Sequence, residues 1–408
     1  MALGLVAAGC AGSNQADPGR PVGTGGKGAA ISTGGSGTGG SVVVPPGTGG
    51  MAVSFPQTGG ASEPPASTGG SSASGSGGSV GPTSTGGGTA GHGDPVGSTG
   101  GRGGAAPVSS GGAGGLPPGM AGAPPPRDTA SKVPASPAPG YTVEANYAYG
   151  PETAQRIDVI YPTGAGPKGT QVLPVVLMFH GGAWIHSYNN GSGKDHMTTF
   201  SSRYLAHGFM VCNAEYRVSD GSADAAPAPA AVVDALLAAK WCWDYMDYFH
   251  GDKTRFVVTG ASAGGHLALM VGMTTAAGML GPTSPADFKI AGIVSGYGPA
   301  DIESEINAVA GAWLPSSLPN RAAIAKQVNP MTYVRKDIPP LIVVQGANDH
   351  TAPVADSMRL VSMLTAAGAD ASIHLVPGAG HGFTAGAEWD DAEKAMFDWL
   401  TSKGLNGK

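Results

Sequence analysis

Residues 141–405 predict an α/β fold, a mostly parallel sheet with helices on both faces, preceded by a long disordered Gly/Ser/Thr/Pro-rich segment. Three observations predict it. Short apolar runs alternate with helix-like stretches throughout this part, which is how strand–helix units cover both faces of a sheet. The run Val172–Phe179 is apolar almost without interruption, as a strand buried on both sides must be. Upstream, residues 11–140 hold 39 of the chain's 70 glycines and a single aromatic residue, Phe55, too little apolar side chain to offset the entropy of ordering a backbone.

The elements follow in order. Tyr141–Glu144 and Arg156–Tyr161 alternate as strands do. The apolar strand to Phe179 runs into His180-Gly181-Gly182-Ala183-Trp184. A helix near 197–207, a strand at 208–215 and a long helix near 229–248 come next. Arg255–Thr259 then forms a strand that enters Gly260-Ala261-Ser262-Ala263-Gly264-Gly265 and a helix from His266. Strands around 289–294, at 341–344 and at 371–376 follow, with helices near 353–367 and 388–403. The stretch 299–330, rich in Pro, Ser and Ala, reads as an insertion over the site; Trp313 in it either lines a pocket or pins a lid.

Composition narrows the partners. Charged residues make up 12% of the chain and the net charge is −6, with no basic block, so nucleic acid is excluded as a partner. No run of 18 apolar residues is present for a spanning helix. Residues 1–10 resemble the end of a truncated bacterial lipoprotein signal, which predicts export, with Cys10 as a lipidated membrane attachment and a cell-envelope or extracellular location. Residues 11–140, where Thr-Gly-Gly recurs at 38, 48, 58 and 68, read as a low-complexity tether, since the repeats lack the large apolar residue a solenoid needs. Cys212 and Cys242 sit among apolar residues and read as buried thiols; in an exported protein a disulfide between them is the alternative. No Cys or His cluster suggests a metal, and no motif calls for a cofactor.

The chemistry-bearing residues lie where strands end. A serine between glycines, after a strand and before a helix, predicts a nucleophile elbow at Ser262. Acyl transfer through serine also needs a base, a carboxylate that orients it, and donors for the oxyanion. His381, in a glycine loop after the last strand, is the candidate base, ahead of the strand residue His374, of His350 and of His266. Asp349, after Val343–Asn348, is the candidate acid, ahead of the helical Asp356. The backbone N–H groups of Gly181, Gly182 and Ala263 are the candidate oxyanion donors. His180 reads as a buried loop organiser, and Arg217 as a loop anchor. Trp241, Trp243, Tyr245 and Tyr248 fall on more than one face of a helix and read as mixed core and surface, against a sugar platform.

These residues resemble the α/β-hydrolase esterases of the hormone-sensitive-lipase type, and especially the short carbohydrate esterases described as bifunctional feruloyl and acetyl-xylan esterases. The likeness rests on His180–Trp184, Glu215-Tyr216-Arg217, Pro229–Ala235, Gly260–Ala268, Asp349 and Gly380-His381-Gly382-Phe383. Glu215 stands where the family commonly has Asp or Asn, and 185–191 is longer and more polar than usual. The resemblance implies a serine carboxylic ester hydrolase for short-chain or carbohydrate-linked acetyl or feruloyl esters, in a catalytic domain at 141–405. An amide hydrolase, prolyl-oligopeptidase-like or a formamidase, and a non-catalytic surface binding module are the other readings.

Overall fold

The computed structural model describes residues 122–128, 139–185, 193–219, 226–275, 287–384 and 386–407. The signal-like start with Cys10, the tether up to residue 121 and most of the polar loop after Ile185 lie outside the described residues.

Eight strands form one sheet: β1 (Tyr141–Ala148), β2 (Arg156–Pro162), β3 (Leu173–Phe179), β4 (Met210–Ala214), β5 (Gly251–Ala261), β6 (Gly292–Gly296), β7 (Leu341–Gly346) and β8 (Ala371–Val376). Their order is β1-β2-β4-β3-β5-β6-β7-β8. Only β1–β2 and β2–β4 pair antiparallel; every pair from β4 to β8 is parallel. The predicted runs become strands with ends shifted by a few residues, most at β5, which extends back to Gly251.

Among the described residues six α-helices accompany the sheet: α1 (Thr198–Ala206), α2 (Ala230–Tyr245), α3 (Ala263–Thr275), α4 (Arg321–Gln327), α5 (Val354–Ala366) and α6 (Gly386–Ser402). The pleat divides β3 between two cores. Leu173, Val175, Leu177 and Phe179 pack with residues of α2, α3 and α5, whereas Val176 and Met178 pack with residues of α1 and α6. All seven β3 residues are buried, as a central parallel strand requires. Trp241 and Trp243 are both buried, joining Tyr147, Phe249 and Phe256 in ring contacts, while Tyr245 and Tyr248 are partly buried against the same cluster. Cys212 and Cys242 are buried free thiols, and burial pushes the Cys242 thiol up.

One stretch of the low-complexity segment is part of this fold. Arg127 bridges to Tyr147 on β1, Asp128 donates its N–H to Asn146 O (3.0 Å), and the Arg127 guanidinium lies 5.8 Å from the Tyr147 ring centre. Arg127 and Asp128, upstream of residue 140, thus contact the edge strand β1. Pro124-Pro125-Pro126 explains how so apolar-poor a stretch does this: proline fixes φ beforehand, so little entropy is lost on docking.

Candidate active site

The parallel register lines up the ends of five strands. Phe179 pairs with Gly260, Ala261 with Gly296, Gly296 with Val344 and Gly346 with Val376. Loops leaving these carboxyl ends open onto a common place, flanking the point where the strand order reverses between β4 and β5 around β3.

At the end of β5 the chain turns on Ser262, whose φ is +55°, and α3 starts at the next residue. Few non-glycine residues hold that conformation, and small neighbours make it feasible here. A Cβ on Gly264 would sit 2.0 Å from Phe179 O and 2.6 Å from His180 O, and one on Gly260 would meet Gly264 O at 2.3 Å. Glycine is thus what lets the turn press against the end of β3. Ser262 donates its N–H to Gly296 O (2.9 Å) and accepts from His266 N (3.1 Å), which pins the turn to β6 and to its own helix.

The other two candidates come from β7 and β8. Ala347 N–H donates to Val376 O and Asn348 N–H to Ala379 O, both at 2.9 Å, so the loops after these strands are bonded together. His381 Nε2 then lies 2.7 Å from Ser262 Oγ, and His381 Nδ1 lies 2.9 and 3.1 Å from the two carboxylate oxygens of Asp349. Asp349 is buried. Desolvation alone would raise its carboxyl, yet the hydrogen bond and charge of His381, with the N–H groups of Ala352 and Thr351, hold it below the usual carboxylate range. The structure brings together Ser262, His381 and Asp349 and leaves their rivals elsewhere. Asp356 bonds Arg359 and Ser304; His374 faces Asp391; His350 is exposed.

The turn after β3 approaches from the other side. A Cβ on Gly181 would meet Ala261 O at 3.0 Å and Ser262 Cβ at 3.3 Å, so this backbone lies against the elbow. Among the described residues, neither Gly181 nor Gly182 donates its N–H to a backbone carbonyl. Ala263, first residue of α3, has an N–H that precedes the intrahelical bonds. His180 organises this turn: Nε2 is 2.7 Å from Glu215 Oε1, Nδ1 is 2.6 Å from Gly181 O, and the ring stacks on Tyr216 at 4.1 Å. The Glu215-Tyr216-Arg217 motif is a set of struts. Glu215 holds His180 and accepts Gly193 N–H (2.5 Å); Tyr216 donates its hydroxyl to His180 O (2.8 Å); Arg217 grips Asp234 through Nε (2.9 Å) and Nη2 (2.7 Å). Arg217 is an anchor with its carboxylate partner on α2.

Two residues of the site went unread in the sequence. Gln345 on β7 donates its amide to Asp349 Oδ2 (3.2 Å) and Ala352 O (2.6 Å), steadying the acid; a lone amide inside an apolar strand was its signal. Gly346 lets the β8 loop pass, since a Cβ there would meet Gly380 O at 2.1 Å. Trp313 is fully buried and stacks on Trp184, which makes it a pin of the 299–330 segment. That segment is a run of turns followed by helix α4. His266 is buried, donates Nε2–H to Val328 O (2.7 Å), and is held neutral by desolvation, its pKa lowered to about 4.

The BD-FAE family profile matches residues 157–364, half of the chain, a span that contains Ser262 and Asp349 and ends before His381. The chain belongs to the BD-FAE family. Among curated proteins this BD-FAE chain is 27% identical to Esterase LipC of Mycobacterium tuberculosis over 254 residues, 60% of each chain. It is 24% identical to Carboxylesterase NlhH of the same organism over 52% of its own length and 66% of that protein's. It spans about half the length of two further relatives, 46% of the probable carboxylic ester hydrolase LipM and 50% of Esterase LipQ. Among solved structures, a truncated carbohydrate esterase from gut microbiota superposes with a TM-score of 0.55 at 22% identity, covering 67% of this chain and 99% of that one. The propionate-bound esterase Est2 of Thermogutta terrifontis gives 0.54 at 21% identity, covering 66% and 97%. These likenesses show the α/β-hydrolase fold.

Proposed function

We propose that this BD-FAE chain is a serine-dependent carboxylic ester hydrolase that works through an acyl-enzyme. The observation that carries the reading is the line Ser262 Oγ, His381 Nε2 (2.7 Å), His381 Nδ1, Asp349 Oδ2 (2.9 Å). Ser262 Oγ attacks the ester carbonyl while His381 Nε2 takes the hydroxyl proton. Asp349, buried and ionised, fixes the imidazole tautomer with Nδ1–H toward itself. The N–H groups of Gly181, Gly182 and Ala263 receive the developing oxyanion. His381 returns the proton to the leaving alcohol; a water then gives a proton to His381 as its oxygen bonds the acyl carbon, and His381 passes that proton to Ser262 Oγ as the acyl–Oγ bond breaks, releasing the acid and free Ser262.

The substrate class is short-chain or carbohydrate-linked acetyl and feruloyl esters. Support comes from family membership and from relatives named as esterases and a carbohydrate esterase. The signal-like start supports an exported chain attached to a membrane through lipidated Cys10, which mass spectrometry of the mature N-terminus tests; an uncleaved, unmodified Met1 overturns it.

The activity is tested by assaying the full chain and Ser262→Ala on p-nitrophenyl acetate, butyrate and octanoate, acetylated xylan, methyl ferulate and a chromogenic peptide. Ester turnover is expected to fall by roughly 10⁶ in the variant. Turnover that survives the substitution removes the mechanism, and cleavage of the peptide alone replaces ester with amide hydrolysis.

A further inference from the structure

The oxyanion turn carries an unusual backbone. Gly182, Ala183 and Trp184 have successive φ values of +113°, +52° and +58°. Glycine takes this region freely, but a side chain as bulky as tryptophan does so only where its surroundings over-determine it. The turn is closed by Ile185 N–H on Gly182 O (3.0 Å), and Ser219 N–H holds Trp184 O (2.8 Å). Neither bond fixes the indole.

What fixes it is the 299–330 segment. The Trp184 and Trp313 rings, both fully buried, stack with centres 4.5 Å apart and planes 16° apart. His266 stands edge-on to both, at 5.0 and 5.7 Å. His266 in turn is tied to the elbow by its N–H on Ser262 O and to the same segment by Nε2–H on Val328 O (2.7 Å). Trp313 is itself held through its carbonyl, which accepts Ala228 N–H at 3.0 Å. Three parts of the chain thus meet in one aromatic cluster: the oxyanion turn, the nucleophile helix and the segment over the site.

We infer that Trp313 is a positioning residue for the oxyanion donors, acting through its stack on Trp184 to hold the Gly181–Gly182 N–H groups in register with Ser262. The inference rests on the esterase reading for its catalytic consequence and on the stack alone for its structural one. It makes the 299–330 segment a fixed clamp on the turn.

The test compares the full chain with Trp313→Leu and Trp313→Phe. Leucine keeps apolar bulk without a stacking face, avoiding the cavity that alanine would leave; phenylalanine restores a ring. For Trp313→Leu, kcat on p-nitrophenyl acetate is expected to fall about 10- to 100-fold, less than or near the loss of one whole donor, with KM changed less than about threefold. Amide hydrogen exchange in peptides spanning residues 180–185 is expected to quicken, and Trp313→Phe is expected to recover most of both. Unchanged exchange in Trp313→Leu overturns the inference, as does a loss confined to KM, which would make Trp313 a substrate contact. If the unsubstituted protein hydrolyses none of the esters, the esterase reading fails by itself and the exchange measurement still decides the clamp.

Discussion

His180 Nε2 lies 2.7 Å from Glu215 Oε1 with both groups buried, and the second carboxylate oxygen of Glu215 accepts the N–H groups of Gly193 (2.5 Å) and Lys194 (3.3 Å). One side chain therefore fastens both ends of the loop between β3 and α1. Asn213 Nδ2–H on Lys194 O and the buried Lys194 Nζ on Asp158 Oδ1 (2.6 Å) add to the second anchor. Removing the carboxylate strands a buried imidazole and two amide donors. Glu215→Ala is expected to cost about 3–5 kcal/mol in urea denaturation, the range for breaking a buried polar pair from one side. Glu215→Gln, which keeps an acceptor oxygen, is expected to cost less than half of that.

Space, and not only conformation, dictates glycine at the elbow. The Cβ of Gly264→Ala would stand 2.0 Å from Phe179 O, a backbone atom of the central strand that has no freedom to withdraw. A loss of about 3 kcal/mol or more is expected by thermal melting, together with loss of ester turnover. Gly386→Ala, at the start of α6 with nothing within 4 Å of its Cβ, is the matched control and is expected to change stability by less than about 1 kcal/mol. A loss in Gly264→Ala no larger than that in Gly386→Ala would remove the close approach to Phe179 O as the reason for glycine there.

How much of this was legible in the sequence follows from where the information lies. Strands β3, β5 and β7 could be read because burial on both faces demands unbroken apolar runs. Ser262 and Asp349 could be located because each follows such a run into a loop, and His381 because it sits in a glycine loop after the last strand; the structure places the three within hydrogen-bonding reach. Trp184 and Trp313 belong to separate runs with no shared pattern, so their stack was open between two readings of Trp313. Gln345 looked like one polar residue in an apolar strand; its meaning depends on Asp349 folding back over it. Residues 122–128 were absorbed into the tether because composition averages over a window, whereas three prolines and one arginine suffice to dock a short edge. Helix α4 hid in a Pro- and Ser-rich stretch, betrayed only by Arg321-Ala322-Ala323-Ile324-Ala325.

Arg217 and Asp234 form a bidentate pair, and Asp234, fully buried, also takes Arg217 N–H (2.9 Å) and Gln155 Nε2–H (2.6 Å). Four donors on one carboxylate make it the centre of that network. Asp234→Ala is expected to destabilise by about 3–5 kcal/mol in urea denaturation. Arg217→Lys is expected to lose stability as well, because an ammonium cannot match the planar fork. Because Arg217 points into the fold's own struts, KM for a small ester such as p-nitrophenyl acetate is expected to stay within about twofold in Arg217→Lys. A large rise in KM with unchanged stability would make it a substrate contact instead.

The buried His266 predicts how stability responds to acid. Its folded pKa, lowered to about 4 chiefly by desolvation, lies below the ordinary value of 6.5. Between these values the unfolded chain binds a proton that the folded chain refuses, so stability rises with pH across that window. The contribution is fully present above about pH 6.5 and is lost progressively as pH falls toward 4, amounting to about 3 kcal/mol over the whole range. Asp349, held below the usual carboxylate range, has the same sign but loses its share lower, as pH falls below the ordinary aspartate value. The two are separable by substitution. His266→Gln retains a donor for Val328 O and removes the titration, so its stability measured by urea denaturation is expected to be flatter than the native protein's between pH 7 and 4.5. Parallel curves for the two proteins would place the acid sensitivity in other groups.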